Sequence, residues 1–155
     1  MKRSRLFIAF GVVVALLVLF GLIQLVPTGV SFTNPPVVSE PKWDSPQTRA
    51  LAQRACFDCH SNETTWPWYS RVAPMSWLLA RDVVEGRAHL NFSTWGQPSA
   101  TGSGRPGHQQ DARDIVREVQ NGSMPPAIYL PLHPEANLSS DEKQQLVQGL
   151  QATFQ

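Results

Sequence analysis

Residues 56–60 read Cys56-Phe57-Asp58-Cys59-His60, and the meaning of that pentapeptide settles what the surrounding chain has to be. Two thiols stand two residues apart and an imidazole follows at once, so on one helical turn the three side chains converge. Upstream, Ser45-Pro46 has the form of an N-cap with proline at the first helical position, and no further proline or glycine intervenes before His60. One helix is therefore expected to deliver Cys56 to His60 at its end. With only two cysteines in 155 residues, no second sulfur pair is present to complete a zinc site.

C-x-x-C-H is the attachment pattern for haem c, in which two thiols add to the two vinyl groups and the next residue's imidazole reaches the iron. Cys56, Cys59 and His60 are the residues that would do so here. The competing reading is a thiol-disulfide exchange pair. Such pairs usually follow a strand in a βαβ setting, and no alternating strand pattern precedes Cys56. Beyond His60 the iron has one more axial position. Asn121-Gly122-Ser123-Met124-Pro125-Pro126 places a thioether on a proline-stiffened loop directly after a helical stretch, and Met124 is the expected sixth ligand. Without the upstream motif, Met124 would be read as core filler. Met75, His89, His108 and His133 are its rivals; His133, in Leu132-His133-Pro134, is foremost among them, and His108 is disfavoured by its Gly/Ser-rich surroundings.

Toward the N-terminus, residues 6–26 (LFIAFGVVVALLVLFGLIQLV) carry no charge and a single amide, Gln24. At about 1.5 Å per residue the run spans roughly 30 Å, one hydrocarbon core. Lys2, Arg3 and Arg5 precede it and no basic cluster follows, so the positive-inside rule keeps the N-terminus cytoplasmic. A cleaved signal peptide is the alternative, but its apolar region is shorter and ends at a small-residue site. Either reading exports the remainder, and attachment of haem c takes place outside the cytoplasm. The expected localisation is a bacterial inner membrane, single-pass, with the haem domain periplasmic. Once the three leading basic residues are set aside, 10 Lys/Arg face 12 Asp/Glu, which leaves no basic footprint for nucleic acid.

These readings divide the chain into a cytoplasmic stretch at 1–5, a transmembrane anchor at 6–26, a Pro-rich tether at 27–44 and a haem c-binding domain at 45–155. After the first helix of the domain, a second is expected beyond Pro74, with Trp77, Leu78, Arg81 and Val84 on its apolar side and fraying by Gly86 or His89. A third runs from about Asp111 to Gln120, with Ile115, Val116 and Val119 on one face and a stop at Asn121-Gly122. The last opens on the capping box Ser139-Ser140-Asp141-Glu142 and carries Leu146, Val147, Leu150 and Phe154 as a stripe. Between Gln97 and Gln109 the chain is too rich in Gly, Ser and Pro to pack, and a mobile loop is expected. Trp66-Pro67-Trp68-Tyr69, with Trp77, Phe92 and Trp95, reads as core that would line the porphyrin. The fold class is thus mostly α: a small cytochrome c-like helical domain with irregular loops, preceded by one transmembrane helix.

The string ACFDCHSNETTWPWYSRVAPMSWLLARDVVEGRAHLNFSTW, followed by VQNGSMPPAIYLPLHPEANLSSDEK, resembles the bacterial haem-binding domain family of small c-type cytochrome-like proteins. The likeness covers roughly residues 45–150, and C-x-x-C-H-S-N-E-T-x-W-P-W-Y-S is far more specific than C-x-x-C-H alone. The resemblance implies a mostly helical fold, one covalent haem c on Cys56 and Cys59, His60 as proximal ligand and the Met124 of G-x-M-P-P as a distal one. The chain departs from the family pattern in the Gly/Ser insertion around Thr101 to Gly107 and in Gly149, where an aromatic is expected and its absence should loosen the C-terminal packing. The function expected from all this is single-electron transfer between redox partner proteins, without an enzymatic step of its own. A haem-based peroxidase-like enzyme or ligand sensor with an open or labile sixth site is the alternative, and a thiol-disulfide oxidoreductase the third reading.

Overall fold

The computed structural model describes residues 2–97 and 108–155, with side chains placed for 5–97 and 113–155. It is mostly helical: α1 (Lys2–Ile23), α2 (Pro46–Ala55), α3 (Phe57–His60), α4 (Met75–His89), α5 (His108–Gln120) and α6 (Ser140–Thr153), with short 3₁₀ turns at Trp68–Arg71, Leu130–Leu132 and Pro134–Ala136. Among the described residues there is no strand, only an isolated bridge between Ser39 and Thr94. The Gly/Ser-rich loop read between Gln97 and Gln109, and the insertion at Thr101 to Gly107, lie almost wholly outside the described residues.

The chain forms two compact units, Met1–Thr33 with Trp66–Asp82, and Asn34–Thr65 with Val83–Gln155. In the first, α1 is apolar on all sides and includes a candidate membrane span at Arg5–Ile23. Its large side chains are exposed, Phe7 at 73% and Leu17 at 65%, because nothing in the unit covers them. Just past the helix, Gln24 grips both backbone groups of one residue: its Nε2 donates to the Ala73 carbonyl (3.2 Å) and its Oε1 accepts from the Ala73 N–H (2.9 Å). Trp77 Nε1 donates to the Val26 carbonyl (3.3 Å), and Phe32 meets Trp66 edge to face at 5.1 Å.

The second unit holds the principal core: Leu51, Ala52 and Ala55 from α2, Phe57, Phe92, Val116 and Val119 from α5, and Leu146 and Leu150 from α6. Trp43, Ile115, Trp95, Val147 and Phe154 pack against it. Aromatic rings run through it as a chain, Trp43 to Phe92 at 5.3 Å, Phe92 to Phe57 at 5.6 Å and Trp95 to Phe154 at 4.8 Å. The helix ends follow local chemistry. Ser45 accepts from Thr48 N–H (3.1 Å) with Pro46 at the first helical position, and Ser139 and Glu142 exchange both bonds of a capping box.

Residues 34–44 are extended, as their prolines require, yet they belong to this unit and not to a tether reaching Asp44. Val38 N–H donates to the Ser93 carbonyl (2.9 Å), Trp43 packs on the core, and Glu40 takes a two-pronged bond from Arg49 (2.7 and 2.8 Å). That guanidinium holds the Glu40 carboxyl below its ordinary range.

Two local expectations are corrected. The buried positions of α4 are Ser76, Ala80 and Val83, whereas Leu78 and Val84 are 38% and 50% exposed. Ser76, Ala80 and Val83 follow one another at four and three residues and so share one face, and Leu78 and Val84 fall off it. Gly149, expected to loosen the last helix, does the reverse. It is buried, and a Cβ at that position would collide with the Thr48 side chain, its Cβ at 2.8 Å included, so glycine is what lets α6 lie against α2. Gly149→Ala is therefore expected to lower stability by about 1–3 kcal/mol through overpacking, although alanine is the better helix former; chemical denaturation measures it.

On the same two helices, Arg54 Nη1 meets Glu142 Oε1 at 2.5 Å. That bond, followed by those with Ser139, brings the Glu142 carboxyl from 4.5 to about 2. The unfolded chain then takes up this proton first as pH falls, so the contribution is complete above about 4.5 and is lost as pH drops through about 2. Glu142→Gln should flatten the acid limb of a melting-temperature profile over that window.

Candidate functional site

The pentapeptide does not continue α2. The helix stops at Ala55, Cys56 leaves the helical region (φ −130°, ψ −33°), and α3 restarts at Phe57. The Cys56 N–H still closes the last turn on Ala52 O (2.8 Å), and its carbonyl accepts from the His60 N–H (2.9 Å). The cause lies in Phe57. In α2 the buried face is Leu51, Ala52 and Ala55, and at about 100° per residue an unbroken helix would bring Asp58 and Cys59 onto that face. The break sends Phe57 into the core at 1% exposure, stacked on Phe92, and leaves Asp58 and Cys59 on the other side. Both cysteines are half-buried and not joined in a disulfide. Burial, aided by the neighbouring Cys59, pushes the Cys56 thiol up to about 12.

His60 is held by backbone. Its Nδ1 lies 3.0 Å from the Gly86 carbonyl and 3.2 Å from the Leu90 carbonyl. Carbonyls only accept, so Nδ1 carries the hydrogen and Nε2 presents its lone pair, the tautomer and the supporting carbonyl bond that a metal-binding histidine uses. Burial keeps the ring neutral, outweighing those two contacts, which favour the charged form. α4 can bring both carbonyls this close because residue 86 is glycine: a Cβ there would stand 2.5 Å from the Cys59 carbonyl oxygen. Of the two ends expected for this helix, Gly86 and His89, the structure has the second: α4 runs through Gly86 to His89.

The residues after the motif form its frame. Ser61 Oγ donates to Phe57 O (2.8 Å) and accepts from Glu63 N–H (2.9 Å). Asn62 Nδ2 donates to Pro36 O (2.8 Å), and Thr64 Oγ1 donates to Asp58 O (2.7 Å). Arg87 donates to Ser61 O (2.8 Å) and to Thr64 Oγ1 (2.9 Å). Ser61, Asn62 and Thr64 are buried, so each of these polar groups has to be satisfied for the turn to persist.

Met124 and Cys56 line the same cavity, about 130 Å³, together with Val119, Leu130 and Leu146. Cys59 and His60 are not among its lining residues. The volume is below the roughly 300–1,000 Å³ of most ligand pockets, so it accommodates the edge of a macrocycle and not the whole. Met75, His89 and His133 are not among the residues that line this cavity. Met75 belongs to the first unit, and His89 is exposed with Nδ1 near Glu85 O (2.9 Å). His133 stacks on Tyr129 at 3.8 Å, with Nδ1 3.2 Å from Glu135 Oε1. The side chain of His108 lies outside those described. Of the aromatic run, Phe92 and Trp95 belong to the second unit and Trp66, Trp68, Tyr69 and Trp77 to the first, where Trp68 is 81% exposed and so is not core.

Sequence reasoning missed one link between the motif and the Met124 loop. Tyr129 Oη donates to Asp58 Oδ2 at 2.6 Å, and burial raises the phenol far above its ordinary range. Asp58 is one of the unspecified positions of C-x-x-C-H, and a carboxylate there, with a tyrosine five residues past Met124, was the available signal.

A thiol pair, a histidine whose Nδ1 is committed to backbone so that Nε2 keeps its lone pair, and a thioether sharing a cavity with one thiol form a donor set that fits haem iron and its vinyl edges. A mostly helical unit bearing that set defines a haem-binding class of protein. A family model described as a haem-binding domain matches residues 18–152, and the chain belongs to that family. No curated protein and no solved structure matches it.

Proposed function

We propose that this haem-binding protein carries one haem c, covalently held by Cys56 and Cys59, and passes single electrons between partner proteins from the outer face of a membrane in which α1 is the anchor. The group itself, when bound, supplies a one-electron iron couple. His60 would provide the proximal nitrogen and Met124 the distal sulfur, a pairing that raises the reduction potential and leaves no axial position for substrate. The observation that carries the reading is the orientation of His60, whose Nδ1 is committed to Gly86 and Leu90 carbonyls so that only Nε2 is available. Further support comes from the cavity that Met124 shares with Cys56, and from the engagement of His133 with Tyr129 and Glu135. Lys2, Arg3 and Arg5 before the apolar helix favour a cytoplasmic N-terminus and a periplasmic haem unit.

The test is spectroscopic. Met124→Ala, produced with cytochrome maturation factors, should keep its haem, lose the weak red-edge band of Met-ligated ferric iron and show a lower potential, axial ligation governing a range of roughly 0.8 V among haem proteins. An unchanged spectrum and potential would remove Met124 from the iron. A wild-type protein that is high-spin and binds cyanide at low concentration would turn the reading toward a ligand sensor or peroxidase-like enzyme.

A further inference from the structure

We infer that the segment from Trp66 to Trp77 is a membrane seat, with Trp68, Tyr69 and Trp77 lying in the lipid headgroup layer on the side where α1 leaves the bilayer. The inference rests on the reading of α1 as a membrane span. The first unit is built from this segment and the apolar helix together, and the bonds joining them fall at one level. Gln24 holds both backbone groups of Ala73, and Trp77 Nε1 donates to Val26 O. The candidate span ends at Ile23, so Gln24 and Val26 are one and three residues beyond it. The chain leaves the helix in i→i−3 turns, Gln24 to Gly21 and Val26 to Ile23, and at about 2.0 Å per residue Gln24 and Val26 stand roughly 2–6 Å past the hydrocarbon edge, within the headgroup region of about 5–8 Å on each side.

The segment's surface suits that layer. Trp68 is 81% exposed, the most exposed of the large apolar side chains, and meets Tyr69 at 5.7 Å in an edge contact. Both lie in the 3₁₀ turn Trp68–Arg71, which closes with an exposed arginine. Leu25 and Val26, just past the candidate span, are 78% and 54% exposed. Indole and phenol rings combine an apolar body with a polar edge and concentrate at membrane–water boundaries, and a guanidinium beside them meets anionic lipid phosphate. In water an indole so exposed has no packing reason to be there. The segment is bonded to the chain at Gln24 and Val26, just past a helix whose large apolar side chains are exposed along the candidate span, which makes phospholipid the occupant.

The test uses the haem-loaded full chain in vesicles of phosphatidylethanolamine and phosphatidylglycerol, with benzoylphenylalanine replacing Trp68, Val14 within α1, or Gln151 on the exposed side of α6. Illumination should add phospholipid mass at positions 68 and 14 and not at 151. Lipid at 14 with none at 68, or protein adducts at 68 in place of lipid, overturns the seat and leaves the span standing. No lipid at either 14 or 68 removes the span, and the seat with it. Equal labelling at 151 also overturns the proposal, because contact would then be indiscriminate.

Discussion

A Cys56→Ala/Cys59→Ala double variant is expected to lose covalent haem completely while keeping its helical content. Cys56 sits at the break between α2 and α3 and Cys59 within α3, and their sulfurs are the only ones in the chain besides those of its three methionines. Alanine preserves the backbone there, since Cys56 is half-buried and its backbone bonds to Ala52 and His60 do not involve sulfur. With His60 and the Met124 cavity intact, the double variant should bind added haem reversibly, so that acidified solvent extracts it, whereas the unaltered protein should hold its haem through the same treatment. Each single variant should retain haem on one remaining bond. Intact-mass measurement and extraction decide the matter: haem that resists extraction from the double variant, or a wild-type chain of unmodified mass after co-expression with maturation factors, would refute covalent attachment at these residues.

The second large effect is expected from Gly86→Ala. In an ordinary helix interior this change stabilises by roughly 0.5–1 kcal/mol, so its sign is informative. Here the new Cβ would stand 2.5 Å from the Cys59 carbonyl oxygen and 3.1 Å from the Cys59 carbonyl carbon and Cβ. Those atoms belong to the short helix that carries the imidazole and have no rotamer by which to retreat. Overpacking of about 1–3 kcal/mol should outweigh the helical gain. The displacement would also pull the Gly86 carbonyl from His60 Nδ1, a supporting bond of the kind whose loss typically weakens metal binding about 10–100-fold. Denaturation and haem titration of the Cys56→Ala/Cys59→Ala background, with and without Gly86→Ala, separate the two consequences. A stabilised protein with undiminished haem affinity would show that α4 does not bear on the motif as described.

Local signals were legible wherever their cause is local. Ser45-Pro46 and Ser139 to Glu142 announce two helix starts because the capping partners lie three residues away, and Val116, Val119, Leu146 and Leu150 announce a core face because one helical period contains them. The break at Cys56 could not be read, since it depends on Phe57 finding Phe92 and Trp43, which a linear reading of 45–60 does not contain. The α4 face was misread for a related reason. Hydrophobicity ranks Leu78 and Val84 above Ser76 and Ala80, but which face is buried is set by what the fold packs against it, and here that is the face of Ser76, Ala80 and Val83. At the candidate site the pentapeptide advertises its chemistry in five letters, while the two carbonyls that orient His60 have no letters of their own, because any residue supplies a carbonyl and only the glycine at 86 hints at their nearness.

The hold of Gln24 on Ala73 bears on processing of the N-terminus. A peptidase cutting just after Val26 would carry away the one amide that satisfies both the N–H and the carbonyl of a residue only 3% exposed, leaving two orphaned backbone groups at about 1–3 kcal/mol apiece. Trp77 would lose its acceptor in the same cut. A shortened version beginning at residue 27 for work in solution would start with that deficit, and keeping the apolar stretch in detergent would avoid it.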